Sequence, residues 1–418
     1  MHSYLALLRD RPQFRKLWLA EVISLAGDWF STLALVVIIN RHTESSLAVG
    51  GLFLARALPP FLAGPFAGVV ADRFPRRVIL IVTDLLRAGI VLGFLFVDSV
   101  ERVWLIYVLS VAQFVVSAFF EPARNALVPS LVASEELLAA NTLASTTWSA
   151  MAALGSALGG VTAAMFGPEA ALVIDALSFV ASALIVWRIV MPATFVAPHA
   201  SASGWSDFVA GLGYIRRHAD VGAVTLVKAL AQVGSVDVVV AAYAARVFVL
   251  GKEGATSLGL MFGFFGLGAI LGPLVGNRLH DHSPRHLRRA IIAGYVAIAL
   301  SWAIIGAAPT IEIALAGYVL RGMGGSLNWT YSDVLLQSKV PNQFLGRVFA
   351  FDFGSFTLAY AISIWLTSLA LDSAALDVRA LVMWLAALSV IPIAVWVAAI
   401  RLTAPRLLEV ATVEEAPR

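Results

Sequence analysis

Apolar runs of about 20 residues, the length that carries a helix across roughly 30 Å of hydrocarbon, recur from one end of this 418-residue chain to the other. Backbone polar groups in lipid must be satisfied internally, so such runs fold as helices, and their recurrence calls for a bundle rather than a single anchor. A membrane barrel would alternate apolar and polar residues in segments of about ten, a pattern the chain does not follow. Composition agrees, because 60% hydrophobic against 13% charged residues leaves too little polar side chain to cover a soluble globule of this size. A full-length soluble enzyme is excluded, and the expected class is an all-α polytopic membrane protein.

The runs place spans at 15–40, 46–70, 78–97, 103–127, 141–166, 168–190, 221–249, 256–277, 288–307, 311–330, 347–371 and 378–401, twelve in all. Arg9 to Lys16 leads straight into the first span with no small-residue cleavage site at the usual distance, so that helix is expected to stay. With Cys 0, disulfides and thiolate metal sites are excluded. If the N-terminus is inside, nineteen of the 29 Lys and Arg, among them Arg9, Arg73, Arg76, Arg77, Arg216, Arg217, Arg288 and Arg289, fall on one side. Arg41, Arg102, Lys252 and Arg379 fall on the other, and six lie within or beside spans. The positive-inside rule then puts both termini in the cytoplasm. Once the charges are placed on loops, the net +3 gives no reason to expect nucleic acid as a partner.

From Met191 to Arg217 the apolar rhythm is broken by "MPATFVAPHASASGWSDF", a composition suited to a cytoplasmic linker (191–217) between two six-helix halves, 1–190 and 218–418. Weak self-similarity supports the division. "GVVADRFPRR" after the second span has a counterpart in "LVGNRLHDHSPRHLRR" after the eighth, and "LVASEELLAANTL" before the fifth resembles "SKVPNQFLGRVFAF" before the eleventh, about 205 residues on. Repeats of this kind, related by an axis along the membrane normal, are an architecture of secondary transporters.

Gly68-x-x-x-Asp72-Arg73-Phe74-Pro75-Arg76-Arg77 resembles the signature loop of the major facilitator superfamily, with Pro75 where that family most often has Gly. "AGDWFSTLAL" and "FFEPARNALVPSLVASEELLAANTL" resemble its efflux branch, which contains macrolide exporters and the enterobactin exporter. "ALGSALGG", Gly155 to Gly160, is similar to the helix-five glycine motif of drug and proton antiporters, with Ser156 where the motif has Pro. The resemblance implies a major facilitator fold and a gate: Asp72 accepting from helix amides or an Arg, and Arg73, Arg76 and Arg77 meeting the other half or acidic headgroups. It competes with the view that these Arg only set topology.

Charges inside the hydrocarbon cost on the order of 2.5 to 3.5 kcal/mol each at a helix centre and should face a cavity or a partner. Asp28, Arg56 and Asp237 fall near mid-span and, with Trp29, form the expected substrate and proton-coupling site; the structural alternative is a permanent pair between Asp28 and Arg56. Asp84 with Arg87, and Glu121 with Arg124, stand one turn apart, spacing that suits local pairing. A wider reading joins Glu121 and Arg124 to the gate, with Asp352 as latch partner. Lys228 can snorkel toward the cytoplasmic interface. Gly155, Gly159 and Gly160 suit close helix packing and a pliable seam between halves.

His280, His282 and His286 lie in a basic Pro-containing loop that suits solvent better than a metal. No phosphate-binding Gly-Lys-Ser/Thr loop is present, so ATP is not the expected energy source, and no enzymatic triad is found. The expectation is a monomeric secondary transporter of a bacterial cytoplasmic membrane. It exports an amphipathic or hydrophobic small molecule in exchange for protons, without a cofactor. Alternatives on the same fold are an importer, a lipid translocator, or a non-transporting scaffold or sensor, the last disfavoured by Asp28, Arg56 and Asp237.

Overall fold

The computed structural model describes residues 4–43, 45–190, 212–279, 284–373 and 377–403. Among them there are helices, turns and no strand. The first half comprises α1 (Tyr4–Asp10), α2 (Pro12–His42), α3 (Ser46–Arg73), α4 (Arg76–Gly93), α5 (Trp104–Leu127), α6 (Leu137–Phe166) and α7 (Pro168–Trp187). After α8, a helical stretch at 212–217, come α9 (Ala219–Thr225), α10 (Val227–Leu230), α11 (Val236–Arg246), α12 (Ala255–Leu279) and α13 (Pro284–Ala307). The chain continues through α14 (Ile311–Lys339), α15 (Asn342–Asp372), α16 (Val378–Leu388) and α17 (Val390–Thr403).

Among the described residues, ten helical segments are long and apolar enough to cross a membrane. The two remaining expected spans explain themselves. α14 has the length but carries Arg321, Asp333 and Lys339 among Gly, Ser and Asn. The span expected as one helix over 221–249 is corrected to three pieces, α9, α10 and α11. Gly234, at φ +77, adopts a left-handed backbone that continues no helix, and Gln232, Ser235 and Asp237 around it mark the interruption inside an otherwise apolar run. The end of α3 is a second correction. Asp72 and Arg73 lie in its last turn, so the charged turn expected after residue 70 shrinks to Phe74 and Pro75, with α4 starting at Arg76.

By packing, the chain forms two compact units. One is Met1–Ala202, Val236–Leu267 and Ile364–Val378; the other is Ser203–Ser235, Gly268–Ser363 and Arg379–Arg418. In the first unit α2 packs on α6 and α7, α3 on α5, and α4 on α5 and α7. Leu7, Phe14, Leu17, Leu80, Phe120 and Leu127 close one end of it as a continuous apolar core. The helix-five glycines are contact points in this unit. A Cβ on Gly159 would stand 3.1 Å from the Phe30 Cα of α2, and one on Gly160 would stand 2.6 Å from the Gly259 Cα of α12. Gly155 faces Ala26 and Trp29. In the second unit α13 packs against α14.

Candidate functional site: buried ionic clusters

Helix α2 carries Glu21, Asp28 and Arg41, spaced by about 10 and 20 Å along the helix axis. Each finds partners on a different neighbour. Glu21 Oε1 accepts from Arg124 Nη2 of α5 at 2.6 Å, and Arg124 Nη1 lies 3.4 Å from Glu121. At the far end Arg41 is bound by Glu169 at 2.8 Å and Glu253 at 2.9 Å. Asp28, near the middle of the helix, meets Arg87 of α4.

The middle cluster is the deepest. Arg87 Nη2 donates to both oxygens of Asp28, at 2.7 and 2.9 Å, and its Nη1 lies 3.6 Å from Asp84 Oδ1. Ser182 Oγ of α7 donates to Asp84 Oδ2 at 2.6 Å. The guanidinium rests 3.9 Å from the centre of the Phe179 ring, also on α7. Asp175, one turn earlier on that helix, is fully buried beside the same charges. Asp84, Arg87 and Asp175 are shut away from solvent, whereas the Asp28 side chain keeps 21% of its exposure. Asp84 Oδ1 and Asp175 Oδ2 have no hydrogen-bond donor among the described residues.

Local sequence accounts for this convergence. Asp84 and Arg87 are three apart, and Asp175, Ser178 and Ser182 follow a helical stripe, so each helix presents a polar line to its neighbour. Gly27 makes room, because a Cβ there would stand 2.1 Å from Ser178 Oγ and 2.4 Å from Asp175 Oδ1. The result is three carboxylates gathered around the Arg87 guanidinium, with the charge of Arg56 also felt at Asp175, in a place where each charge is expensive.

Several expected partners are corrected. Asp28 pairs with Arg87 rather than Arg56, whose guanidinium lies 4.5 Å from the Phe114 ring. Asp84 and Arg87 are near neighbours, as their spacing suggested, but Arg87 makes its hydrogen bonds to α2. Asp237 sits in the first turn of α11, beside the helix break rather than in mid-helix. Trp29 lies 5.5 Å from Phe262, ring centre to ring centre. Of the gate residues, Arg76 is buried and donates to the Ala126 carbonyl of α5, and Arg77 donates to the Trp187 carbonyl at the end of α7. Each therefore has a backbone partner within the first unit. Arg73 is exposed, and the side chain of Asp72 lies outside the described residues, as do His280 and His282. Glu121 and Arg124 network with Glu21.

Asp352, expected as a latch partner, is held by residues of its own unit. It lies in the second unit, 1% exposed, and takes Lys228 of α10 at 2.6 Å; Asp333 of α14 takes the same ammonium at 2.6 Å. Lys228 is thus buried in an ion cluster instead of snorkelling. Arg321 also has a local role, donating at 3.2 Å to the Ala231 carbonyl that the broken helix leaves free, while Trp302 Nε1 donates to the Val233 carbonyl at 3.1 Å. Glu21 and Asp333 were missed by the sequence reading. The signal that could have found them is their type, a carboxylate within a long apolar helix.

This architecture is that of a membrane transporter, and the sequence matches the Major Facilitator Superfamily over residues 17–364. The chain belongs to that family and has its twelve-helix fold. The putative bacilysin exporter BacE of Bacillus amyloliquefaciens is 24% identical over 367 residues, 88% of this chain and 90% of that one. Macrolide efflux protein A of Streptococcus pyogenes is 24% identical over 367 residues, 86% and 89% of the two chains. The enterobactin exporter EntS of Salmonella choleraesuis is 26% identical over 355 residues, 82% of each. Among solved structures, an inward-facing bacterial homologue of the iron transporter ferroportin superposes with a TM-score of 0.73 at 17% identity, covering 93% of this chain and 98% of that one.

Proposed function

We propose that this chain is a secondary transporter of a bacterial cytoplasmic membrane, with both termini in the cytoplasm, that exports an amphipathic or hydrophobic small molecule in exchange for protons by alternating access. The observation that carries the reading is the cluster of Asp28, Asp84 and Asp175 around Arg87. Three carboxylates outnumber the guanidinium groups whose charge reaches them, Arg87 and, at Asp175, Arg56, so the cluster can take up a proton, and Asp28, the partly exposed member, gives that proton a way in. A static structural brace would need one carboxylate for one guanidinium. The exporters among the relatives support the direction of transport.

The test uses purified protein in liposomes under an imposed pH gradient, with lipophilic cations, macrolides and siderophores as candidate substrates. A compound should evoke proton movement that Asp28→Asn or Asp175→Asn abolishes while binding of the compound is retained. Proton movement unchanged in both variants would overturn the assignment of the cluster. Transport with no proton movement in the wild type would replace antiport by facilitated diffusion.

A further inference from the structure

We propose that Lys228, Asp333 and Asp352, with the aromatic row beside them on α14 and α15, form a binding site for a protonated amine attached to an apolar body. Four observations meet here, all inside the second unit. Two carboxylates share one ammonium, each at 2.6 Å, so the cluster lacks one positive charge. Asp352 Oδ1 is buried with no hydrogen-bond donor among the described residues, an arrangement that costs free energy until a donor arrives. The cluster is open on one side, because the Asp333 side chain is 26% exposed. Beside it stands a row of aromatic rings.

Trp329 stands one turn before Asp333 on α14, 40% exposed, with its ring centre 4.4 Å from Lys228 Nζ. Its ring meets Phe356 of α15 edge-on at 5.0 Å, and Phe356 stacks on Tyr360 at 5.8 Å. Phe353, 46% exposed, lies 5.9 Å from Phe356. Asp352, Phe356 and Tyr360 recur at four-residue steps, so one stripe of α15 carries both the carboxylate and the rings.

Aromatic faces attract cations, and a carboxylate beside them adds charge and a hydrogen-bond acceptor. The Lys228 ammonium, held by two carboxylates over an indole, already shows how a ligand ammonium is received. A single added positive charge balances the cluster. An acid would meet surplus negative charge, and a neutral ligand would leave it uncompensated. The site shares no residue with the Asp28 cluster and does not depend on the coupling ion.

The test is binding to the full chain in nanodiscs of uncharged lipid, comparing 1-naphthylmethylamine with 1-naphthylmethanol, two probes that share a ring and differ in charge. The amine should bind tighter by about tenfold or more, and Asp333→Asn should remove most of that preference while leaving the alcohol unchanged. Trp329→Leu keeps the ions intact and should weaken the amine about threefold or more without changing the melting temperature. Lys228→Ala should lower the melting temperature, and the amine should restore more of it than the alcohol does. Equal affinity for the two probes, or a preference that survives Asp333→Asn, would overturn the proposal. Asp28→Asn separates this result from the coupling reading, since amine binding should persist there whatever happens to proton movement.

Discussion

Arg87 donates two hydrogen bonds to Asp28 and meets the charge of Asp84 and the ring of Phe179 in one buried side chain, so its removal exposes every other member of the cluster to an uncompensated neighbour. Breaking such a pair costs about 3–5 kcal/mol. Arg87→Gln should therefore lower the melting temperature sharply, and the double variant with Asp28→Asn should recover part of the loss, a coupling that a thermal double-mutant cycle measures. A gentler case is Asp220, at the start of α9 and 2.5 Å from Lys339. Partial burial pushes its carboxyl up, but the Lys339 ammonium and the backbone amides outweigh that and hold it below the ordinary aspartate value. A depressed carboxyl stabilises the fold above its unfolded value, and the contribution disappears as pH falls through the folded one. Melting curves from pH 7 down to 3 should show a stability loss in the wild type at the acid end that is smaller in Asp220→Asn. At this scale the sequence showed which residues were unusual and not whom they meet. Asp28, Arg87 and Asp175 are far apart in the chain, and only the packing of α2, α4 and α7 decides that Arg87 rather than Arg56 answers Asp28.

Helices were legible because length and apolarity suffice to define them in lipid, and most expected spans coincide with an observed helix to within a few residues. The failures share a cause. The break between α10 and α11 is set by backbone conformation at Gly234, among Gln232, Ser235 and Asp237 in a run still apolar enough on average to read as one span, and its polar cost is met by Arg321 and Trp302 from elsewhere in the fold. The packing role of the helix-five glycines was legible from spacing, although the partner helices were not. Gly160 and Gly259 give the clearest test, since their backbones approach too closely for a side chain. Gly160→Ala should cost about 1–3 kcal/mol through overpacking between α6 and α12. Gly89→Ala in α4, where an added Cβ meets nothing within 4 Å, should be neutral or stabilise by up to about 1 kcal/mol from helix propensity. Melting temperatures of the two variants against the wild type decide it, and equal effects would mean that backbone entropy, not helix approach, sets both.

For the whole molecule, family membership was readable from the charged loop after the second span, while orientation rests on where basic residues collect. The structure adds a physical reason for that collection. Lys16 donates to the Arg188 carbonyl at 2.7 Å, and Arg77 donates to that of Trp187, so two cations meet the negative end of the α7 dipole. At the other end of α2, acids are prominent: Glu169 and Glu253 hold Arg41, and Asp372 caps the start of α3 through the Ser46 and Leu47 amides at 2.6 and 2.9 Å. A chain so polarised should insert with its basic end inside. Alkaline phosphatase, which needs disulfides and hence an oxidising compartment, reads this directly. Fused after Ser99, Pro309 or Asp377 it should be active, and fused after Arg188 or Pro341 it should be inactive. The reverse pattern would invert the molecule, moving the basic ends of α4 and α7 outside and turning the proposed exporter's direction with them.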